Sequence, residues 1–396
     1  MPLRPPAGFI SAFFDPLRNP NAPTIGTATG GDASASVAFT APSNVGGSAI
    51  SSYTTISTPE AIIASAASSP ISVTGLTNGT AYTFAVWATN TYGPSAYSAA
   101  SGSVTPAAPR GLFGGGQRVS ATNVIDYITI STTGNATDFG DLTAARVGLG
   151  ACASTTRGVF AGSSSVIDYV TIASAGNATD FGDLLANTSY LAGCSSSTRG
   201  LFGGGEQNDT NVIQYITIAT TGNATDFGDL TVNRYYLASC ASSTRGVWAG
   251  GLGGVVTANT NIIDYVTIAT TGNATDFGDL TTPMYGPSGC ASSTRGLIGG
   301  GLTFSPTTYL NIINYITIAS TGNATDFGDL TVGRFGTGAC SSSTRGVWAG
   351  GEGDSGRTNI IDYVTIASVG NATDFGDLTA STDALAGCSN GHGGLS

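Results

Sequence analysis

From residue 22 to 106 apolar and polar positions alternate in short runs, SASVAFTAP, ISSYTTIS, ISVTGLT and TAYTFAVWATN, with a last run near GSVTP. Gly, Pro, Asn and Ser cluster between them. A period of two with turn residues at the boundaries predicts short half-buried strands, enough for a sandwich of two sheets. From residue 110 the pattern changes. Runs such as NVIDYITI place apolar side chains at Val124, Ile125, Tyr127, Ile128 and Ile130. That density leaves no wet face, so this strand needs cover on both sides.

The second pattern recurs. GNATDFGDL appears six times, and alignment on Arg-Gly pairs starts the units at Arg110, Arg157, Arg199, Arg245, Arg295 and Arg345. The intervals are 47, 42, 46, 50 and 50 residues, the range of solenoids and propellers. Each unit offers four strands: a small-residue strand such as LAGCSSS, then RGVFAG or RGVWAGG, then NIIDYVTIAT, then ATDFGDLT. Four strands per unit predict a propeller blade. Gly, Ala, Ser and Cys suit the first strand to a crowded hub. The first unit begins at its second strand, directly after Pro109, while a spare first strand, ALAGCSN, stands at 384–390. A linear array has no use for that leftover, but a closed ring takes it as the inner strand of the first blade.

These repeats resemble the kelch family. The likeness rests on Gly115-Gly116, Gly250-Gly251, Gly300-Gly301 and Gly350-Gly351 after the second strand, and on Tyr127, Tyr169, Tyr215, Tyr265, Tyr315 and Tyr363 in the third. The fourth-strand aromatic is Phe139 and its equivalents where the family has Trp, and the second unit has Ala161-Gly162 for Gly-Gly. Upstream, Leu76-Thr77-Asn78-Gly79-Thr80-Ala81-Tyr82 is similar to the tyrosine-corner segment of fibronectin type III domains, with Tyr82 in the corner role. Trp87 is expected in the core of that domain. The expected fold is therefore all-β: an extended anchoring arm over 1–21, a fibronectin III-like sandwich over 22–106, and a six-bladed propeller over 110–396 closed by the C-terminal strand.

Charge narrows the partners. Only 9% of residues are charged, none is Lys, and the net charge is −11, nearly all of it carried after residue 110. An acidic surface of this kind is a poor fit to nucleic acid or to an anionic membrane. The opening residues show no secretion leader, and no apolar run reaches the length of a membrane helix. The six cysteines recur once per unit, at Cys152, Cys194, Cys240, Cys290, Cys340 and Cys388. Packed sheets lie about 10 Å apart, beyond the reach of a disulfide, so six free buried thiols are expected.

Little of the repeat carries chemistry. The two acids of DFGD, such as Asp138 and Asp141, point to opposite faces of a strand. The expectation is a ring of ion pairs between each repeat-start Arg and the first Asp of DFGD. Asn135-Ala136-Thr137 and its copies match the N-glycosylation sequon, but Gly-Asn is also tight-turn chemistry. With His392 the only histidine, neither a His-based triad nor a multi-His metal site is expected. No cofactor, metal or catalytic residue is expected.

Variation lies in the second-to-third and fourth-to-first connections, which fall on one face. They carry Arg118, Arg146, Tyr190, Arg234, Tyr235, Tyr236, Met284, Tyr285, Phe304, Tyr309, Arg334, Phe335 and Arg357, a candidate recognition face; neutral drift of solvent loops would produce variation as well. In the arm, Phe9, Phe13, Phe14 and Leu17 are candidate anchors, against the alternative of a flexible leader. The layout of Pro-rich arm, fibronectin-like module and kelch-like repeats resembles bacteriophage virion proteins. That resemblance implies a non-catalytic tail fibre or capsid appendage on the virion surface, or an extracellular protein. It would be present in several copies, bound to other virion proteins through the arm and to a host surface glycan or protein through the head. The alternative is a propeller hydrolase or lyase acting on polysaccharide.

Overall fold

The computed structural model describes residues 17–206, 210–253 and 258–395. It is all-β: the described elements are antiparallel strands and one 3-10 turn, Gly393–Leu395. The chain divides into two compact units between Ala108 and Pro109. Phe9, Phe13 and Phe14 lie outside the described residues. Leu17 is exposed.

The first unit holds two sheets. One pairs Thr24–Gly31 with Ser34–Thr40 and Ile71–Thr74; the other orders Ile63–Ala66, Ser52–Thr58, Thr83–Asn90 and Gly93–Pro94. Alternation in Thr83–Asn90 buries Phe84, Val86 and Ala88 against Val37, Ile71 and Val73. Tyr82 is fully buried, and its hydroxyl accepts the Thr77 N–H at 2.9 Å and meets Glu60. Trp87 departs from expectation. It sits one position out of phase with the buried residues, half-exposed, edge-to-face with Tyr97 at 5.1 Å. The strand expected near GSVTP is reduced to one antiparallel bridge, Val104 with Tyr82 through two 2.8 Å hydrogen bonds, and a serine ladder precedes it. Ser95, Ser98 and Ser101 each bind Ala88, Val86 and Phe84 through both backbone and hydroxyl, a spacing of three that an extended polyproline-like segment presents on one side.

The second unit contains six four-stranded antiparallel sheets. In five of them the strands follow chain order, as in Gly150–Ala153, Arg157–Ala161, Ser164–Thr171 and Thr179–Thr188. The sixth joins both ends of the unit: Ala386–Ser389 pairs with Arg110–Gly114, placing Cys388 opposite Leu112. Third strands contribute to two cores at once. Ile125 packs with Phe160 and Ile172 of the following sheet, whereas Ile128 and Ile130 pack with Val347 and Ile361 of the preceding one. Six such inter-sheet cores occur, one per junction, and the inner strands follow one another round a closed circuit.

Three repeated devices lock the junctions. The first is a sulfur in a glycine socket: Cys152 of one sheet fills the space over Gly200 of the next, where a Cβ would sit 2.5 Å from Sγ. All six cysteines are free and buried, and burial pushes the Cys240 and Cys388 thiols up to about 12. The second is a clasp. Gly176 and Ala178 donate backbone hydrogen bonds to Phe139 and Asp141 of the preceding repeat, and Asn177 Oδ1 accepts the Asp141 N–H at 3.1 Å. The same three bonds recur at every junction, including the one from Asn135 to Asp377 that closes the circuit. GNATDFGDL thus covers a neighbour's open sheet edge with its first half and forms its own outer strand with its second. The Asn is a latch between sheets more than a turn residue.

The third device corrects an expectation. The repeat-start arginines do not pair with DFGD. Each guanidinium lies 4.5–5.0 Å from the centre of its own third-strand Tyr ring. Each also donates to a carbonyl of the next sheet at 2.8–3.0 Å, from Arg110 to Ile172 and onward to Arg345 on Ile130. A tyrosine face and an unpaired strand-end carbonyl within reach satisfy the cation, while the first aspartate of DFGD stays exposed.

Candidate recognition face

At one end of the inner strands, six equivalent residues adopt the left-handed conformation: Gly148, Tyr190, Tyr236, Gly286, Gly336 and Ala384, with φ between 51° and 69°. Each N–H donates to the carbonyl of its counterpart in the preceding repeat at 2.6–3.0 Å, and Gly148 donates to Ala384, so six hydrogen bonds close a circle. Glycine occupies this conformation freely. Tyr190, Tyr236 and Ala384 hold it against a steric cost of about 1 kcal/mol each.

The structure divides the candidate residues into two sets. Arg146, Arg234, Arg334 and Met284 are at most 4% exposed and cannot meet a ligand. Their connection turns inward, because an acid on the third strand of the next sheet needs a partner. Arg234 Nη2 lies 2.5 Å from Asp264, with Nη1 on the Gly250 and Ile262 carbonyls. Arg146 pairs with Asp168, and Arg334 with Asp362 at 2.8 Å. Burial lowers the pKa of all three guanidinium groups, against the pull of their aspartates. Where the connection has Thr188 or Met284, the third strand has Gln214 or Asn314 in place of the acid. Where it has Thr382, Asp126 is served at 3.8 Å by Arg118, from a different loop. A charge is buried only where a counter-charge arrives. That covariation is visible within the one chain, and a reading of the loops alone misses it.

The second set converges. Tyr190 stacks on Tyr236 at 3.8 Å; Tyr236 meets Tyr235 at 5.9 Å and Tyr285 at 5.1 Å. Tyr285 in turn meets Phe304 at 4.8 Å and Phe335 at 5.4 Å, and Phe335 meets Tyr309 at 5.9 Å. Seven rings from successive connections form one continuous arc. They are positioned by short hairpins, Leu302–Phe304 with Thr307–Tyr309 and Glu352–Gly353 with Gly356–Arg357, whose edges pair with Tyr285 and Phe335. All seven stay half-exposed, except Phe304, which is exposed. The cations of this face are committed: Arg357 is bonded to Asp383 and Arg118 lies on Asp126.

The opposite end of the inner strands is stopped by residues 391–395. His392 is half-buried, with Nε2 3.0 Å from the Ala153 carbonyl and 3.3 Å from Ser195 Oγ, while Nδ1 accepts the Gly394 N–H. Nε2 therefore carries the proton, and burial lowers the pKa of the ring. Among the described residues no three His, Cys, Asp or Glu side chains converge on a metal-binding geometry, and no helix is long and apolar enough to cross a membrane. Comparison with protein-family models and with curated proteins found no match to this chain.

Proposed function

We propose that residues 110–396 are a six-bladed propeller of kelch type and residues 22–106 a fibronectin III-like sandwich. In this reading the chain is a non-catalytic structural and adhesive protein of a bacteriophage particle, a tail fibre or capsid appendage whose propeller binds a host surface glycan or protein. The closed circles of hydrogen bonds and the strand shared between the two ends of the second unit support the propeller. The Tyr82 hydroxyl on Thr77 supports the sandwich. The arm, through Phe9, Phe13, Phe14 and Leu17, holds the copies to other virion proteins.

The observation that carries the binding reading is the aromatic arc. Half-exposed rings that touch each other on a rigid base present flat apolar area at little entropic cost, and such clusters dominate recognition surfaces. A sheet framework with so few variable positions has no reason to gather seven rings at one mouth unless something covers them. The test is retention of labelled full-length chain on a panel of bacterial cells and their purified surface polysaccharides. Binding should be lost in a Tyr285→Ala, Phe335→Ala double variant whose unfolding midpoint is unchanged. Binding that survives the double variant would move recognition elsewhere, and depolymerisation of a retained polysaccharide would replace adhesion by catalysis.

A further inference from the structure

The aromatic arc has an electrostatic character. Glu352 stands directly opposite Phe335 in backbone pairing, with reciprocal bonds of 2.9 Å, so the two side chains share a face. Burial raises the phenol pKa values of Tyr285 and Tyr309; after burial Tyr309 and then Glu352 act on Tyr285, while Glu352 and then Asp354 act on Tyr309. Glu352 thus lies among three rings. Its cross-strand neighbour Arg357 is hydrogen-bonded to Asp383, and its charge also acts on Glu352. Among the described residues neither Glu352 nor Asp354 has an ion pair or a side-chain hydrogen bond. Arg357 is the cation beside these rings, and its charge faces three carboxylates, Asp383, Glu352 and the nearby Asp354; the excess of acid beside clustered ring faces repels anions and attracts a positive charge from outside.

Building on the adhesive reading above, we propose that the sector formed by Tyr285, Phe304, Tyr309, Phe335 and Glu352 binds an aminated glycan, a pyranose carrying a free ammonium group. The sugar's flat face lies on the rings and the ammonium meets Glu352, with Asp354 adding to the field. A neutral sugar would cover the rings and leave the acid unpaired. A uronate or phosphate would be turned away. A lysine side chain could meet the acid but would cover only part of the ring surface, since Tyr285 alone contacts both Phe304 and Phe335.

The experiment is calorimetry of the full chain with a glucosamine hexamer and with the fully N-acetylated hexamer. The amine form should bind about five- to tenfold tighter, the advantage of a rim ion pair joined to a cation–ring contact, and 0.5 M salt should shrink that advantage. Glu352→Gln should remove most of the preference, chiefly by weakening the amine form. Phe304→Ala, at an exposed position, should weaken both. Equal affinities for the two hexamers, a Glu352→Gln variant with the preference intact, or oligolysine binding as tightly as the amine hexamer would each overturn the inference. If neither hexamer binds while the polysaccharide panel is still retained through Tyr285 and Phe335, the amine specificity falls and adhesion stands. If panel and hexamers both fail, the adhesive reading falls with it.

Discussion

The junction between the third and fourth repeats can be rewritten as that between the fourth and fifth. Arg234 and Asp264 are fully buried, and the guanidinium donates to Asp264, Gly250 and Ile262 at 2.5–2.8 Å. Asp264 also accepts the Thr231 hydroxyl at 2.6 Å. Arg234→Met removes the counter-charge from a carboxylate that cannot reach water, and Asp264→Asn strands a buried guanidinium. Each single change should cost about 3–5 kcal/mol. Making Arg234→Met and Asp264→Asn together reproduces what the next junction already contains, where Met284 is fully buried and Asn314 accepts Thr281 from the same direction. The double variant should therefore stand within about 1 kcal/mol of the parent, which with those single costs is a coupling of at least about 5 kcal/mol. Equilibrium unfolding in guanidinium chloride, read on Trp248 and Trp348, measures it; both indoles are buried in this unit. A double variant as unstable as the sum of its singles would show that the covariation between junctions is accidental.

Three further outcomes follow from the same junctions. Gly200→Ala should destabilise by about 1–3 kcal/mol, because the added methyl overlaps Cys152 Sγ, and a second change, Cys152→Ala, should recover part of that loss in the same denaturation assay. Burial raises the Asp126 pKa above 3.8, although Thr379 and Arg118 oppose it. The folded state then binds this proton more tightly than the unfolded chain, so stability falls as pH rises through the folded value; Asp126→Asn should melt higher than the parent at pH 7, and the difference should close at or below pH 3.8. For His392 the sign reverses: its folded pKa lies below 6.5, so stability is retained above pH 6.5 and lost on acidification below it, and His392→Gln should flatten that part of the melting profile.

Much of the framework is legible in the sequence because it is periodic. Apolar density in NVIDYITI calls for cover on both sides, and the spare ALAGCSN strand calls for a partner at Leu112, where Cys388 pairs. Side-chain partners are less legible. Matching the repeat-start arginines to the nearest opposite charge in the motif overlooks strand-end carbonyls and a tyrosine face that lie closer. Size alone assigns Trp87 to the core, while phase along Thr83–Asn90 places it outside. Loop position selects the recognition residues, and position does not report direction: Arg234 and Tyr235 are adjacent, and one is buried while the other joins the arc. Their alternation in the short strand Arg234–Tyr235 is the signal that separates them.

The division of labour between fixed and variable positions has a physical basis. Every junction is closed by the same main-chain clasp, sulfur socket and arginine reach, none of which involves the residue after the inward-facing Arg, Met or Thr of a fourth-to-first connection. That residue and the left-handed one beyond it are free to differ, because the circle of hydrogen bonds through Gly148, Tyr190, Tyr236, Gly286, Gly336 and Ala384 uses only backbone atoms. Tyr190 and Tyr236 keep the circle intact at the cost of local strain, whereas a Cβ at Gly148 or Gly286 would also meet the ring of Tyr190 or Phe335, at 2.5 or 2.8 Å. The rings therefore vary from repeat to repeat on a backbone that does not, which is the arrangement the proposed adhesive role requires.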